Sequence, residues 1–146
     1  AMAKQVQNLG VRAELEVFDT GHLVMVKDLI AEGLLDDPIM IQLCMGIAYG
    51  APDDPLTFMA MVNQLPAGAI FSAFSISRMQ LPYVAMAALA GGNVRVGLED
   101  NIYFDEERTT LASNRMQVQR IVDLADDYGR EISTPNETRS TLGLER

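Results

Sequence analysis

Apolar and polar residues along this chain follow two rhythms that take turns. Ala13-Glu14-Leu15-Glu16-Val17-Phe18-Asp19 alternates with period two, the mark of a strand with one polar and one apolar face. Leu23 to Glu32, with Val24, Val26, Leu29 and Ile30 apolar, takes the helical period and stops at Gly33. Ile39 to Ile47 is almost continuously apolar, with Pro38 before it and Gly46 near its end. That run is short for a helix and reads as a strand buried on both faces, as strands of parallel sheets are. Ala51-Pro52-Asp53-Asp54-Pro55 is a turn in which Asp53 or Asp54 caps a helix over Leu56 to Leu65, with Pro55 at its first position. After Pro66-Ala67-Gly68, Ala69 to Ile76 is a third strand, and Met79 to Ala90 is a helix of small residues ended by Gly91-Gly92. Val94, Val96 and Leu98 alternate with Arg95 and Gly97, which predicts a fourth strand running into Glu99-Asp100-Asn101. Asn114 to Tyr128 places Met116, Val118, Ile121, Val122 and Leu124 at helical spacing before Gly129. Thr134-Pro135-Asn136-Glu137 opens a short last helix that ends at Leu142-Gly143.

Strand then helix, four times, at intervals of roughly 25 to 30 residues, is the spacing of βα units whose parallel strands need helical crossovers. The expected fold is α/β, and four units amount to half of a (β/α)8 barrel, which typically takes about 250 residues. Ala1 to Leu9 has the look of a helix already under way and capped by Gly10, so the chain is expected to be a piece of something longer, broken after a fourth unit. Polar residues gather after each strand: Asp19 and His22, then Tyr49, then Ser75 and Arg78, then Glu99 and Asp100. In α/β proteins that is the face where ligands bind.

Composition narrows the function. With 146 residues, 49% of them hydrophobic, the chain can bury one core and is read as one domain over 1–146. A net charge of -9 without a basic run argues against nucleic acid and against acidic partners. No stretch reaches the roughly 18 to 20 apolar residues of a membrane span, and the start lacks an export signal, so a cytoplasmic protein with no membrane contact is expected. Cys44, the single cysteine, lies in an apolar run and reads as a buried thiol in a reducing compartment. Neither a Walker loop nor Gly-x-Gly-x-x-Gly is present.

The candidate chemistry sits in Asn93 to Asn101. Arg95, Glu99 and Asp100 could hold a divalent metal together with an anionic substrate, because carboxylates ligate Zn²⁺ and a guanidinium grips a carboxylate through two bonds. If the residues continue as a strand, Glu99 and Asp100 point to opposite faces, and a metal takes one of them. Glu14 and Glu16 share a strand face; they are either solvated at a sheet edge or partnered, and Arg95 is a partner for one of them. His22 is the only histidine and is expected to be hydrogen-bonded in the loop that begins a helix.

Glu14 to His22, the turn Arg78-Met79-Gln80, the run Gly91-Gly92-Asn93-Val94-Arg95-Val96-Gly97-Leu98-Glu99-Asp100-Asn101, and Thr134-Pro135 through Leu144 together resemble the C-terminal half of the β-keto acid cleavage enzymes, the family of 3-keto-5-aminohexanoate cleavage enzyme. The resemblance implies units five to eight of a zinc-dependent (β/α)8 barrel. Such an enzyme transfers an acyl group from a β-keto acid to acetyl-CoA, its co-substrate, and releases acetoacetate. It further implies Glu99 as a zinc ligand, Asp100 as a base, Arg95 as the arginine working with it, and Glu16 or Glu14, with Glu16 favoured, as a further active-site glutamate. The family's His-x-His zinc ligands and its serine and threonine substrate contacts belong to an N-terminal half, the missing partner of this chain. Ser75-Ile76-Ser77-Arg78 stands where the family pattern has glycines before the arginine. A homo-oligomeric enzyme is the expectation. The alternative is a non-catalytic half-barrel module that covers its open sheet edges with a copy of itself.

Overall fold

The computed structural model describes residues 1–144 and organises them around one parallel sheet. Helix α1 (Met2–Asn8) leads to β1 (Glu14–Val17), and then helices alternate with strands: α2 (Thr20–Ala31), β2 (Met40–Met45), α3 (Pro55–Val62), β3 (Ile70–Ser75), α4 (Gln80–Leu89), β4 (Asn93–Val94) and α5 (Asn114–Asp127). A 3₁₀ turn, Ser77–Met79, precedes α4, and α6 (Pro135–Thr141) follows α5. The four strands lie in chain order, β1-β2-β3-β4, and every neighbouring pair is parallel. Sequential order with a helix after each strand is the architecture of half a (β/α)8 barrel.

Register separates the sheet into two chemically different faces. Leu15, Val17, Ile41, Leu43, Met45 and Ala73 share the face that meets the helices, where Leu23, Val26, Phe58, Met61, Tyr83 and Ala87 complete the core. Glu14, Glu16, Gln42, Cys44, Ser72, Phe74 and Asn93 fall on the opposite face, because neighbouring residues of a strand point opposite ways. β2 is buried over Ile41 to Met45, as its unbroken apolar run implies. Burial pushes the Cys44 thiol up from 9.0 to about 12, with the nearby Glu16 charge adding to the effect.

Local chemistry explains the helix starts. Asp54, not Asp53, caps α3, accepting hydrogen bonds from the Leu56 and Thr57 amides, while Asp53 is left free to accept one from Ser75 Oγ at 3.2 Å. Asp19 caps α2 through the Gly21 amide. Thr134 and Glu137 form a reciprocal capping box at α6. Gly91 takes φ +85° beyond the end of α4, whereas Gly92 is required for closeness: a Cβ there would lie 2.3 Å from Phe71 Cε2.

Two expectations are corrected. The fourth strand pairs only over Asn93–Val94, and from Gly97 the chain curls into a turn, with the Asp100 and Asn101 amides both donating to Gly97 O. Gly97 interrupts the pleat, and the carboxylates after it do not alternate across a strand. Helix α5 has the expected period, but Val118 and Val122 are exposed and only Gln117 is buried. No described helix is long and apolar enough to cross a membrane.

Gly92→Ala should destabilise the chain by about 1–3 kcal/mol in urea unfolding, because the Phe71 ring has to move out of a packed site. In native alkylation at pH 8, Cys44 should stay unmodified until the chain unfolds. The folded thiol keeps its proton above the pH at which the unfolded one loses it. Its stabilising effect is therefore complete below about pH 9 and drains away as pH rises toward 12. Cys44→Ala should flatten that alkaline limb.

Candidate active site

Arg95 stands two residues beyond Asn93, just past the end of β4, and closes over the polar face of the sheet. Its guanidinium carbon lies 4.1 Å from the centre of the Phe74 ring, so an aromatic face on β3 supports the cation from below. Asp100 takes two bonds from it, Nε to Oδ2 at 3.1 Å and Nη2 to Oδ1 at 2.7 Å. Nη1 reaches across the sheet to Glu16 Oε1 at 3.1 Å, and Glu99 Oε2 lies 3.3 Å from Nη2. A single cation is thus shared by three carboxylates.

Exposure grades the three acids. The side chain of Asp100 is 3% exposed, that of Glu16 46% and that of Glu99 82%. A buried carboxylate is expensive without a partner, and the two-bond clasp of Arg95 supplies one. The Asp100 contact is also the main reason that the Arg95 guanidinium is held still more firmly protonated than usual. One positive charge against three negative ones leaves the rim net negative and receptive to a cation.

The turn that carries the acids is tied down from several sides. Asn114 Oδ1, at the first position of α5, accepts the Leu98 amide at 2.9 Å, and Gln80 Nε2 donates to Gly97 O at 3.3 Å. Ser77 N donates to Asp100 O at 2.8 Å, joining the loop after β3 to the loop after β4. Ser77 itself sits at φ +60°, a left-handed conformation that favours glycine.

Behind Glu16 a polar ladder crosses three strands. Gln42 Nε2 donates to Glu16 Oε1 at 3.4 Å, and Ser72 Oγ donates to Gln42 Oε1 at 3.0 Å. Gln42 and Ser72 were not singled out in the sequence; the available signal was a glutamine inside an otherwise apolar run. Phe74, the aromatic support, has no signal of its own, because its role exists only across the sheet.

Of the residues proposed from sequence, Glu16, Arg95, Glu99 and Asp100 meet. Glu14 shares their face but lies at the far end of β1, opposite Met40, without a contact to Arg95. His22 accepts the Phe18 amide on Nδ1 at 3.1 Å, the loop role expected of it. Among the described residues no group of three or more His, Cys, Asp or Glu is arranged to hold a metal. Glu99 fits as one oxygen donor, and the described residues do not complete a zinc site around it.

A family model described as beta-keto acid cleavage enzyme matches residues 1–144. The chain is 54% identical over 143 residues to the 3-dehydrocarnitine:acetyl-CoA trimethylamine transferase of Rhizobium meliloti (strain 1021), a match covering 98% of this chain and 47% of that protein. It is 35% identical to the 3-keto-5-aminohexanoate cleavage enzyme of Acetoanaerobium sticklandii, over 94% of this chain and 50% of that protein. It is 29% identical to the 3-oxoadipate:acetyl-CoA acetyltransferase of Cupriavidus necator, over 98% and 51%. The chain spans about half the length of each.

Replacing Arg95 by Gln should cost about 2 kcal/mol in urea unfolding. That is less than a fully enclosed pair loses, because the Arg95 side chain is 26% exposed. Arg95→Lys should recover only part of the loss, since an ammonium cannot make the two-bond contact. Adding Asp100→Asn to Arg95→Gln should cost little more, as no buried charge is then left unpaired.

Proposed function

The chain belongs to the beta-keto acid cleavage enzyme family, and from that premise we propose that it forms units five to eight of a (β/α)8 enzyme exchanging acyl groups between a β-keto acid and acetyl-CoA. The carbon–carbon bond beside the keto carbon breaks, the keto-bearing acyl group passes to the coenzyme sulfur, and the acetyl group joins the released acetate fragment. Acetoacetate and a new acyl-CoA leave, and nothing is oxidised. The single observation that supports this reading is the convergence of Glu16, Glu99 and Asp100 on one guanidinium at the strand-end rim.

Asp100 is the group we assign to proton transfer. It is buried and aimed by two bonds from Arg95 at the strand-end rim. Taking a proton requires one of its bonds to Arg95 to open. Glu16 and Glu99 give the guanidinium other acceptors, so it can swing without losing its counter-charge. Arg95 is accordingly a positioning residue for Asp100, and the same cation is placed to meet the carboxylate of the keto acid. Glu16 takes the role of the active-site glutamate in preference to Glu14, on the ground of its 3.1 Å contact with Arg95.

Glu99 is the zinc ligand we assign to this chain, with the other donors supplied by the barrel half that residues 1–146 do not span. When bound, Zn²⁺ would polarise the keto oxygen. That half, or a second copy in a cytoplasmic homo-oligomer, would also cover Val118 and Val122.

The test is reconstitution. The chain is co-expressed with the half of the Rhizobium meliloti relative that the match leaves uncovered, and acetoacetate is measured from 3-dehydrocarnitine and acetyl-CoA. Turnover is expected, with Asp100→Asn lowering kcat by roughly 10²–10⁴-fold and Glu99→Gln releasing zinc on metal analysis. A stable, metal-free dimer of this chain that neither joins the other half nor yields turnover would overturn the reading in favour of a non-catalytic module.

A further inference from the structure

Among the described residues Arg95 is the only arginine in an ion pair, in a chain that carries 20 acids against 11 lysines and arginines. Arg78 and Arg120 line one cleft, and they and Arg108 have neutral partners. Arg78 Nε donates to Glu106 O at 3.3 Å, and Arg120 donates to Phe104 O at 2.7 Å while its guanidinium lies 3.4 Å over the Phe104 ring. Arg108 donates to Ser77 Oγ and lies 5.3 Å over Tyr103. The cleft, about 350 Å³, runs between the loop after β3 and the loop after β4, and Arg78, Asn101, Tyr103, Gln117 and Arg120 are among its walls.

A second observation points to a ligand. Gln117 is 4% exposed, its amide nitrogen donates to Asn101 O, and its Oε1 is buried with no hydrogen-bond partner. A buried acceptor left open is costly and calls for an N–H. The backbone around the cleft is also strained: Ser77 at φ +60° and Arg108 at φ +63° are both left-handed, and they are bonded to each other. Asp105 and Glu106 line the cleft too. The Asp105 oxygens are occupied by the Thr109 hydroxyl and the Thr109 and Thr110 amides, so that carboxylate is engaged within its own loop.

We propose that this cleft binds the phosphate end of coenzyme A, with Arg78 and Arg120 facing the phosphates and Gln117 Oε1 accepting an N–H of the same molecule. The proposal rests on the acyl-transfer reading above. The two guanidiniums of the cleft are not needed for the substrate carboxylate, because Arg95 already serves that end of the site. Asn101 lines the cleft and directly follows Asp100, so a coenzyme anchored here extends its thioester toward the reacting carboxylate. In many (β/α)8 barrels the loops after strands seven and eight help to hold phosphate; here the corresponding loops follow β3 and β4.

Calorimetric titration of the 146-residue chain with coenzyme A, its 3′-dephospho form and pantetheine tests the cleft. Coenzyme A should bind with an affinity that falls as salt rises, weaken about tenfold or more in Arg78→Gln and in Arg120→Gln, and exceed the dephospho form. Pantetheine should be weak and indifferent to both substitutions. Arg120→Gln also removes a ring contact that supports the fold, so the exposed Arg78 provides the independent variant. Absent binding to the wild-type chain, or equal affinity in wild type and Arg78→Gln, overturns the proposal. Acyl transfer is scored separately in the reconstituted enzyme. Turnover with an unchanged KM for acetyl-CoA in Arg78→Gln removes the cleft and leaves the chemistry, whereas arginine-dependent coenzyme binding without turnover removes the chemistry and leaves the cleft.

Discussion

The burial of Asp100 beneath Arg95 is the constraint to which the rest of the rim conforms. A carboxylate taken out of water needs a fixed counter-charge, and a guanidinium gripping it through two bonds needs its own planar geometry held. The structure meets both needs with parts from across the sheet. Phe74 on β3 supports the guanidinium face, Glu16 on β1 takes its far nitrogen, and Gln80, Ser77 and Asn114 hold the turn that carries Asp100. Because these supports belong to the first, third and fourth βα units, the local arrangement depends on the correct assembly of those units.

This dependence gives the sheet its division of labour. Its helix-facing side is apolar and closely packed, and supplies the rigidity. Its other side carries the ladder from Ser72 through Gln42 to Glu16, a chain of hydrogen bonds that orients the glutamate before it reaches Arg95. Family membership gives this face a meaning. In a closed barrel it lines the interior, and the strand ends above it form the mouth where chemistry is done.

The two loops above the sheet work as one body. Ser77 N holds Asp100 O, Arg108 holds Ser77 Oγ, and Gln117 holds Asn101 O, so the loops after β3 and β4 cannot shift independently. Ser77 holds a left-handed backbone that favours glycine, and the bonds on either side of it offset that strain.

The order of strands and helices was legible in the sequence because each unit obeys its own period and cap: Pro55 after Asp54, Gly33 after α2, and the unbroken apolar run of β2. Arg95, Glu99 and Asp100 were legible as chemistry because charge crowds at a strand end. Their partners were not. The contact of Glu16, and not Glu14, with Arg95 spans 79 positions and depends on register across the whole sheet. The shortness of β4 follows from Gly97 turning the chain, and the exposure of Val118 and Val122 follows from the lack of a neighbour against that side of α5. Local pattern decides which residues become strand, helix or turn, since propensity and periodicity act within a few residues. Which charge meets which was decided only in three dimensions, because an ion pair is a property of distance through space.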